Sequence, residues 1–111
     1  MKAKPVRLVG RRYKVCAVED ATHVVLNIPG PTGFLTLPVI IKGRREGTEC
    51  WTWNGSTEAP TLRPSVLRTT SRDFRCHSWI NDGKAQFLAD CSHDLAGQTV
   101  ELLEVENGGV N

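Results

Sequence analysis

The sequence predicts a mainly β protein: a small single-domain antiparallel sheet, arranged as a sandwich or a partly open barrel. Nine short runs are β-branched or alternate apolar with polar residues, the period-2 signature of strands. Helical periodicity is nearly absent. Gly, Pro, Asn and Asp recur between the runs, where a reversing chain needs them. Short strands at such spacing fit a sandwich or barrel.

The runs in order are "VRLVG", "YKVCAV", "HVVLNI", "GFLTLPVII", "ECWTWNG", "SVLRTT", "FRCHSWI", "AQFLAD" and "TVELLEV". Between the third and fourth, "NIPGPTG" (residues 27–33) reads as a turn, because two prolines and two glycines oppose a ladder. "KGRREGTE" is a polar loop. Pro60 and Pro64 bracket "TLR" and call for an extended edge segment. One short helical turn is expected near 92–97, with Ser92 capping and Gly97 at the left-handed exit. Residues 1–111 read as one β-rich domain, and 106–111 ("ENGGVN") as a flexible tail.

Composition is that of a globular chain, with 40% apolar and 23% charged residues among 111. The net charge of +2 is too small to argue for nucleic acid. Basic residues do cluster, at Lys2, Lys4, Arg7, Arg11, Arg12 and Lys14, and again at Lys42, Arg44 and Arg45. A nucleic-acid interface would interleave aromatics, and the first cluster has only Tyr13. No apolar run approaches the ~20 residues that span a bilayer, and no signal-peptide core is seen. The expected location is the cytoplasm, that of the host if the chain is phage-encoded, and the four cysteines are expected as thiols.

The chemistry concentrates in "CHSWINDGKAQFLADCSH" (residues 76–93), which holds two cysteines and two histidines. Asp82-Gly83 is a favoured two-residue hairpin turn. Placing the reversal there sets Asn81 against Lys84, Ile80 against Ala85, Ser78 against Phe87, Cys76 against Ala89 and Phe74 against Cys91. Phe74, Cys76, Ser78, Ile80, Ala85, Phe87, Ala89 and Cys91 then share an apolar, inward face. Arg75, His77, Trp79, Gln86, Leu88 and Asp90 share the other. Cys76 and His77 therefore point apart and are poorly placed to serve one ion. Cys76 and Cys91 become diagonal neighbours about 7–8 Å apart, which suits two core thiols better than a disulfide.

His77, Asp90 and His93 are a candidate cluster that could bind a metal or act as acid and base, since a carboxylate beside an imidazole orients it and raises its basicity. Surface histidines beside carboxylates are also common without function. A metal, zinc first, is the candidate cofactor. Cys16 and His23 could face each other across "VEDAT", and one or two of Cys76, Cys91 and His93 could complete a four-coordinate candidate ligand set. The C-x-x-C pair of a zinc ribbon is missing, and Glu19 stands where its second cysteine would fall. Cys50 reads as core.

"WTWNGSTEAPTLRPSV" followed by "CHSWINDGKAQFLADCSHDLAGQTVEL" resembles a family of small phage and prophage proteins. Its pattern is W-x-W-N-G, P-T-x-x-P-S, then C-H-S through D-C-x-H-x-L-A-G-Q-T-V. Automatic labels often name that family "ammonia monooxygenase", a membrane assembly that this chain does not resemble. Related domains occur beside bacterial ubiquitin-like conjugation genes. The resemblance implies a partner-binding role and, from the C-P-x-C…H knuckle of many relatives, a metal.

The first functional expectation is thus a non-enzymatic protein-interaction module, a phage or prophage accessory protein that binds a host or phage protein, with a structural zinc. Trp51, Trp53 and Trp79 are its candidate anchors, if they are not core. The alternatives are a metal- or His/Asp-dependent hydrolase and a weak nucleic-acid-binding protein. No nucleophile elbow, P-loop or H-E-x-x-H motif is present.

Overall fold

A computed structural model describes residues 1–45 and 47–106. Among the described residues nine strands form the predicted mainly β fold, and each falls on one of the nine runs. They are β1 (Ala3–Val9), β2 (Arg12–Val15), β3 (His23–Ile28), β4 (Gly33–Ile40), β5 (Trp51–Trp53), β6 (Leu62–Ser71), β7 (Phe74–Asn81), β8 (Lys84–Phe87) and β9 (Thr99–Glu101). The sheet order is β2-β1-β3-β4-β5-β6-β7-β8-β9. All neighbours are antiparallel except β4 and β5, which run parallel. A β1-first order would follow from hairpins alone. Here β1 instead lies between β2 and β3, pairing Val6 with both Val15 and His23.

The open sheet curls until its far end meets its beginning. Leu103 bridges to Asn27 of β3, and the Val105 N–H donates to the Met1 carbonyl at 2.7 Å. One apolar face turns inward as a shared core of Val24, Leu26, Ile28, Leu37, Val39, Leu62, Ile80, Phe87 and Leu102. The alternation of the strands dictates this: in β7 the buried residues are Cys76, Ser78 and Ile80, and their neighbours are more open.

Several local expectations are corrected. The turn predicted over residues 27–33 is shorter, because Asn27 and Ile28 still pair with Phe34 and Gly33. The prolines and glycines end the ladder only at Ile28. No helix forms at 92–97. The segment is a run of turns in which the Ala96 N–H reaches the His93 carbonyl and the Gln98 N–H reaches the Leu95 carbonyl. Gly97 does take the left-handed conformation, at φ +78°. Ser92 caps no helix; its hydroxyl accepts from the Arg75 N–H at 2.8 Å. Among the described residues the one helical element is a 3-10 turn at Val18–Asp20. Cys50 is not in the core cluster; it lies half-buried beside the Gly47 carbonyl. Trp51 and Trp53 do pack against the core.

The basic residues are partly consumed by the fold. Lys4 is buried, Lys2 pairs with Glu101, Arg44 donates to the Glu19 and Ala21 carbonyls, and Arg45 to those of Gly47 and Thr48. Among the described residues no helix is long and apolar enough to cross a membrane. Of the tail expected at 106–111, residues 107–111 lie outside the described residues.

Candidate active site

The hairpin at Asp82-Gly83 forms as the sequence requires, with φ of +49° and +78° at the two turn positions. Ser78↔Phe87, Ile80↔Ala85 and Asn81↔Lys84 hold in the expected register. His77 and Trp79 accordingly face outward, opposite Cys76 and Ser78.

One further ladder bond, from the Leu88 N–H to the His77 carbonyl at 2.9 Å, follows Phe87, and then the ladder breaks. Residues 88–91 turn, with the Cys91 N–H bonded to the Leu88 carbonyl. Cys91 therefore does not face Phe74, and Ala89 is exposed rather than inward. Side chains replace the lost ladder. Cys91 Sγ accepts from the His77 N–H and donates to the His77 carbonyl, both at 3.2 Å. The Ser92 N–H donates to the Arg75 carbonyl at 2.8 Å. The turn is thus laced to β7 at residues 75 and 77, and Asp90 is held over His77.

His77 Nδ1 lies 3.3 Å from Asp90 Oδ2, and His77 Nε2 lies 2.9 Å from Ser65 Oγ. An ionised carboxylate only accepts, so Nδ1 carries the proton and Nε2 accepts from the Ser65 hydroxyl. Arg75 Nη1 donates to the same Asp90 oxygen at 3.0 Å. That guanidinium first, then His77, holds the Asp90 carboxyl below its ordinary value of 3.8. Ser65, His77 and Asp90 therefore make a hydrogen-bonded relay on the solvent face.

Ser65 was absent from the sequence-based candidates. It sits on β6 inside the first of two register shifts, the one between Leu62 and Val66; the second lies between Arg68 and Ser71. The second shift decides its face. From the turn pair Ser71↔Phe74, a regular ladder would set Arg68 opposite His77 and leave Ser65 on the inner face. The extra residue instead pairs Leu67 with His77, which flips the alternation and turns Ser65 outward. The signal available was the serine of "RPSV", which no nucleophile motif flanked. Around it, the Trp51 indole N–H points at the Ser65 carbonyl, and the Arg63 guanidinium lies 5.1 Å above the Trp79 ring.

His93 does not join this relay. It lies beneath, its ring edge-on to Phe87 at 5.1 Å, with Nδ1 accepting from the Leu95 N–H. There Cys76, Cys91 and His93 gather their ligand atoms within 4.8 Å of one another, and they could hold a metal ion. His93 Nε2 is buried without a hydrogen-bond partner. So is the Thr32 hydroxyl oxygen, which faces the Cys76 thiol without closing a well-formed bond. Burial pushes the Cys76 thiol above its ordinary range, and Thr32 opposes this in part.

The other two expected ligands lie elsewhere. Cys16, just past β2, bonds through its N–H to the Pro5 carbonyl, whereas His23 begins β3. Strand β1 runs between them, a separation of roughly two strand spacings, or about 9–10 Å. His23 meets the Thr22 hydroxyl through Nδ1 at 2.8 Å and Tyr13 edge-on. The nearby turn holds Glu19 at the surface.

Fold and site together define a small curled β-sheet protein with a Ser–His–carboxylate relay on its outer face and a thiol–imidazole cluster under it. The chain belongs to the family described as "Bacterial ubiquitination-like system serine protease (BubE)", whose family model matches residues 13–88. The matched span contains Ser65, Cys76 and His77 and ends at Leu88, two residues short of Asp90. No curated protein and no solved structure matches the chain significantly.

Proposed function

We propose that this protein is a serine hydrolase that cleaves an amide bond in a protein substrate within a bacterial ubiquitination-like system. The 2.9 Å approach of Ser65 Oγ to His77 Nε2, with Asp90 on the opposite ring nitrogen, carries this reading. The family's description as a serine protease supports it independently. The hydrolase alternative drawn from His77 and Asp90 is thereby preferred to the interaction module, with two changes. Ser65 supplies the nucleophile, and His93 leaves the acid–base set.

In the proposed reaction Ser65 Oγ attacks the substrate carbonyl carbon while its proton passes to His77 Nε2. Asp90 stabilises the resulting imidazolium and keeps the ring oriented. The proton then goes to the leaving amine, and water attacks the acyl-serine through the same base. Zinc bound by Cys76, Cys91 and His93 belongs to the same reading as a structural ion. The phage or prophage setting implied by the sequence motifs is compatible with it.

A fluorophosphonate probe tests the assignment directly. The native protein should label once, at Ser65, and Ser65→Ala should lose labelling while keeping its circular dichroism spectrum. Labelling at another serine, or none in a folded, metal-replete protein, would overturn it.

A further inference from the structure

The catalytic and thiol residues alternate along the chain: Cys76 precedes His77, and Asp90 precedes Cys91. In the extended backbone of β7, Cys76 and His77 point to opposite faces. Asp90 and Cys91 are adjacent in the turn at 88–91, with Asp90 bonded to the His77 ring, so a bond drawing Cys76 and Cys91 together bears on the spacing of His77 and Asp90. Cys91 adds a second link, because its sulfur already bonds both backbone groups of His77. Two further observations point to a ligand at this place. His93 Nε2 and Thr32 Oγ1 are both buried polar atoms without partners, and Thr32 faces the Cys76 thiol. Zinc bonds of about 2.0–2.3 Å would set tetrahedral donors about 3.3–3.8 Å apart. The observed cluster, within 4.8 Å, needs only a modest contraction to reach that. Two sulfurs and an imidazole select a soft or borderline cation over magnesium or calcium.

We propose that a zinc-class cation at Cys76, Cys91 and His93, with the Thr32 hydroxyl or water completing the shell, is a positioning centre for the Ser65–His77–Asp90 relay. The proposal rests on the hydrolase reading for its consequence but not for its binding site. The ion lies on the opposite side of the strand from the reacting atoms and touches no substrate. Once bound, Cys91 is a thiolate that accepts more strongly from the His77 N–H and no longer donates to the His77 carbonyl. That oxygen keeps the Leu88 N–H, at 2.9 Å. Metal occupancy thus changes the bonding of the general base's own backbone.

The test uses the full chain and Co²⁺ as probe. One equivalent should give an intense thiolate-to-cobalt absorption, which His93→Ala weakens and Cys76→Ser alters, whether or not Ser65 is reactive. The imidazole resonances of His77 should differ between metal-free and Zn²⁺-bound protein. Fluorophosphonate labelling of Ser65 should fall at least tenfold on metal removal and return with Zn²⁺. If the metal-free chain unfolds, Cd²⁺ replaces Zn²⁺ in the folded protein, and the larger ion should shift the His77 resonances and the labelling rate. Absence of stoichiometric binding overturns the site. Binding that leaves His77 unmoved overturns the coupling. Cobalt binding and His77 shifts in a protein that never labels would sink the hydrolase reading and leave the metal-to-His77 link standing.

Discussion

Asp90 is shared. Its Oδ2 receives both Arg75 and His77, and its side chain is 43% exposed, unlike the enclosed carboxylate of a protease triad. What keeps it ionised is therefore the neighbouring guanidinium more than the imidazole. Arg75→Ala should move the Asp90 titration upward toward 3.8, read from its carboxyl carbon by NMR. The sign for stability follows. A depressed folded value contributes stability that is present above 3.8 and lost as pH falls through the lower folded value. Asp90 should thus contribute no stability change between pH 5 and 8. Asp90→Asn should keep the fold but lose the enforced tautomer of His77, lowering kcat by about 10²–10⁴-fold. A kcat within threefold of native would show that Asp90 does not orient the base.

At the scale of elements, the β7–β8 hairpin and the turn after it carry the relay. Gly83 is buried at φ +78°, and a Cβ there would meet the Ala59 Cα at 3.2 Å and the Glu58 carbonyl at 3.3 Å. Backbone cannot yield as a flexible side chain would. Gly83→Ala should therefore cost about 1–3 kcal/mol in urea unfolding, through strain at positive φ and this contact. Gly97 has the same φ and open space around it, so Gly97→Ala should incur only the conformational part. The β6 bulge plays the complementary role. It moves one strand by one residue and thereby turns Ser65 toward His77.

For the whole molecule, closure of the curled sheet is the vulnerable step. Leu102 is 3% exposed, and its N–H bonds to the Gly83 carbonyl at 3.0 Å, so the last segment packs under the catalytic hairpin. Leu102→Ala should lower stability by about 2–5 kcal/mol. The nearby Lys2–Glu101 pair is exposed, and Glu101→Gln should leave the urea midpoint almost unchanged. If the two substitutions had equal effects, charge rather than burial would be holding the sheet closed.

The nine strands, the hairpin at Asp82-Gly83 and the outward placement of His77 were legible in the sequence, because alternation and turn chemistry are local properties. The same holds for Cys76, which its own strand turns inward. Asp90 also faces out, but the turn at 88–91 puts it there, not the expected ladder. Ser65 was not legible. Its face depends on a one-residue bulge between Arg68 and Ser71 that no residue type announces, and the bulge inverts every side chain beyond it. The partition of the two histidines likewise waited on the tertiary structure. His77 and His93 look alike as a cluster in sequence, but the turn after Phe87 sends His93 beneath the sheet to the thiols and leaves His77 above with the serine. Local physics set which residues could face out; long-range pairing set which of them met.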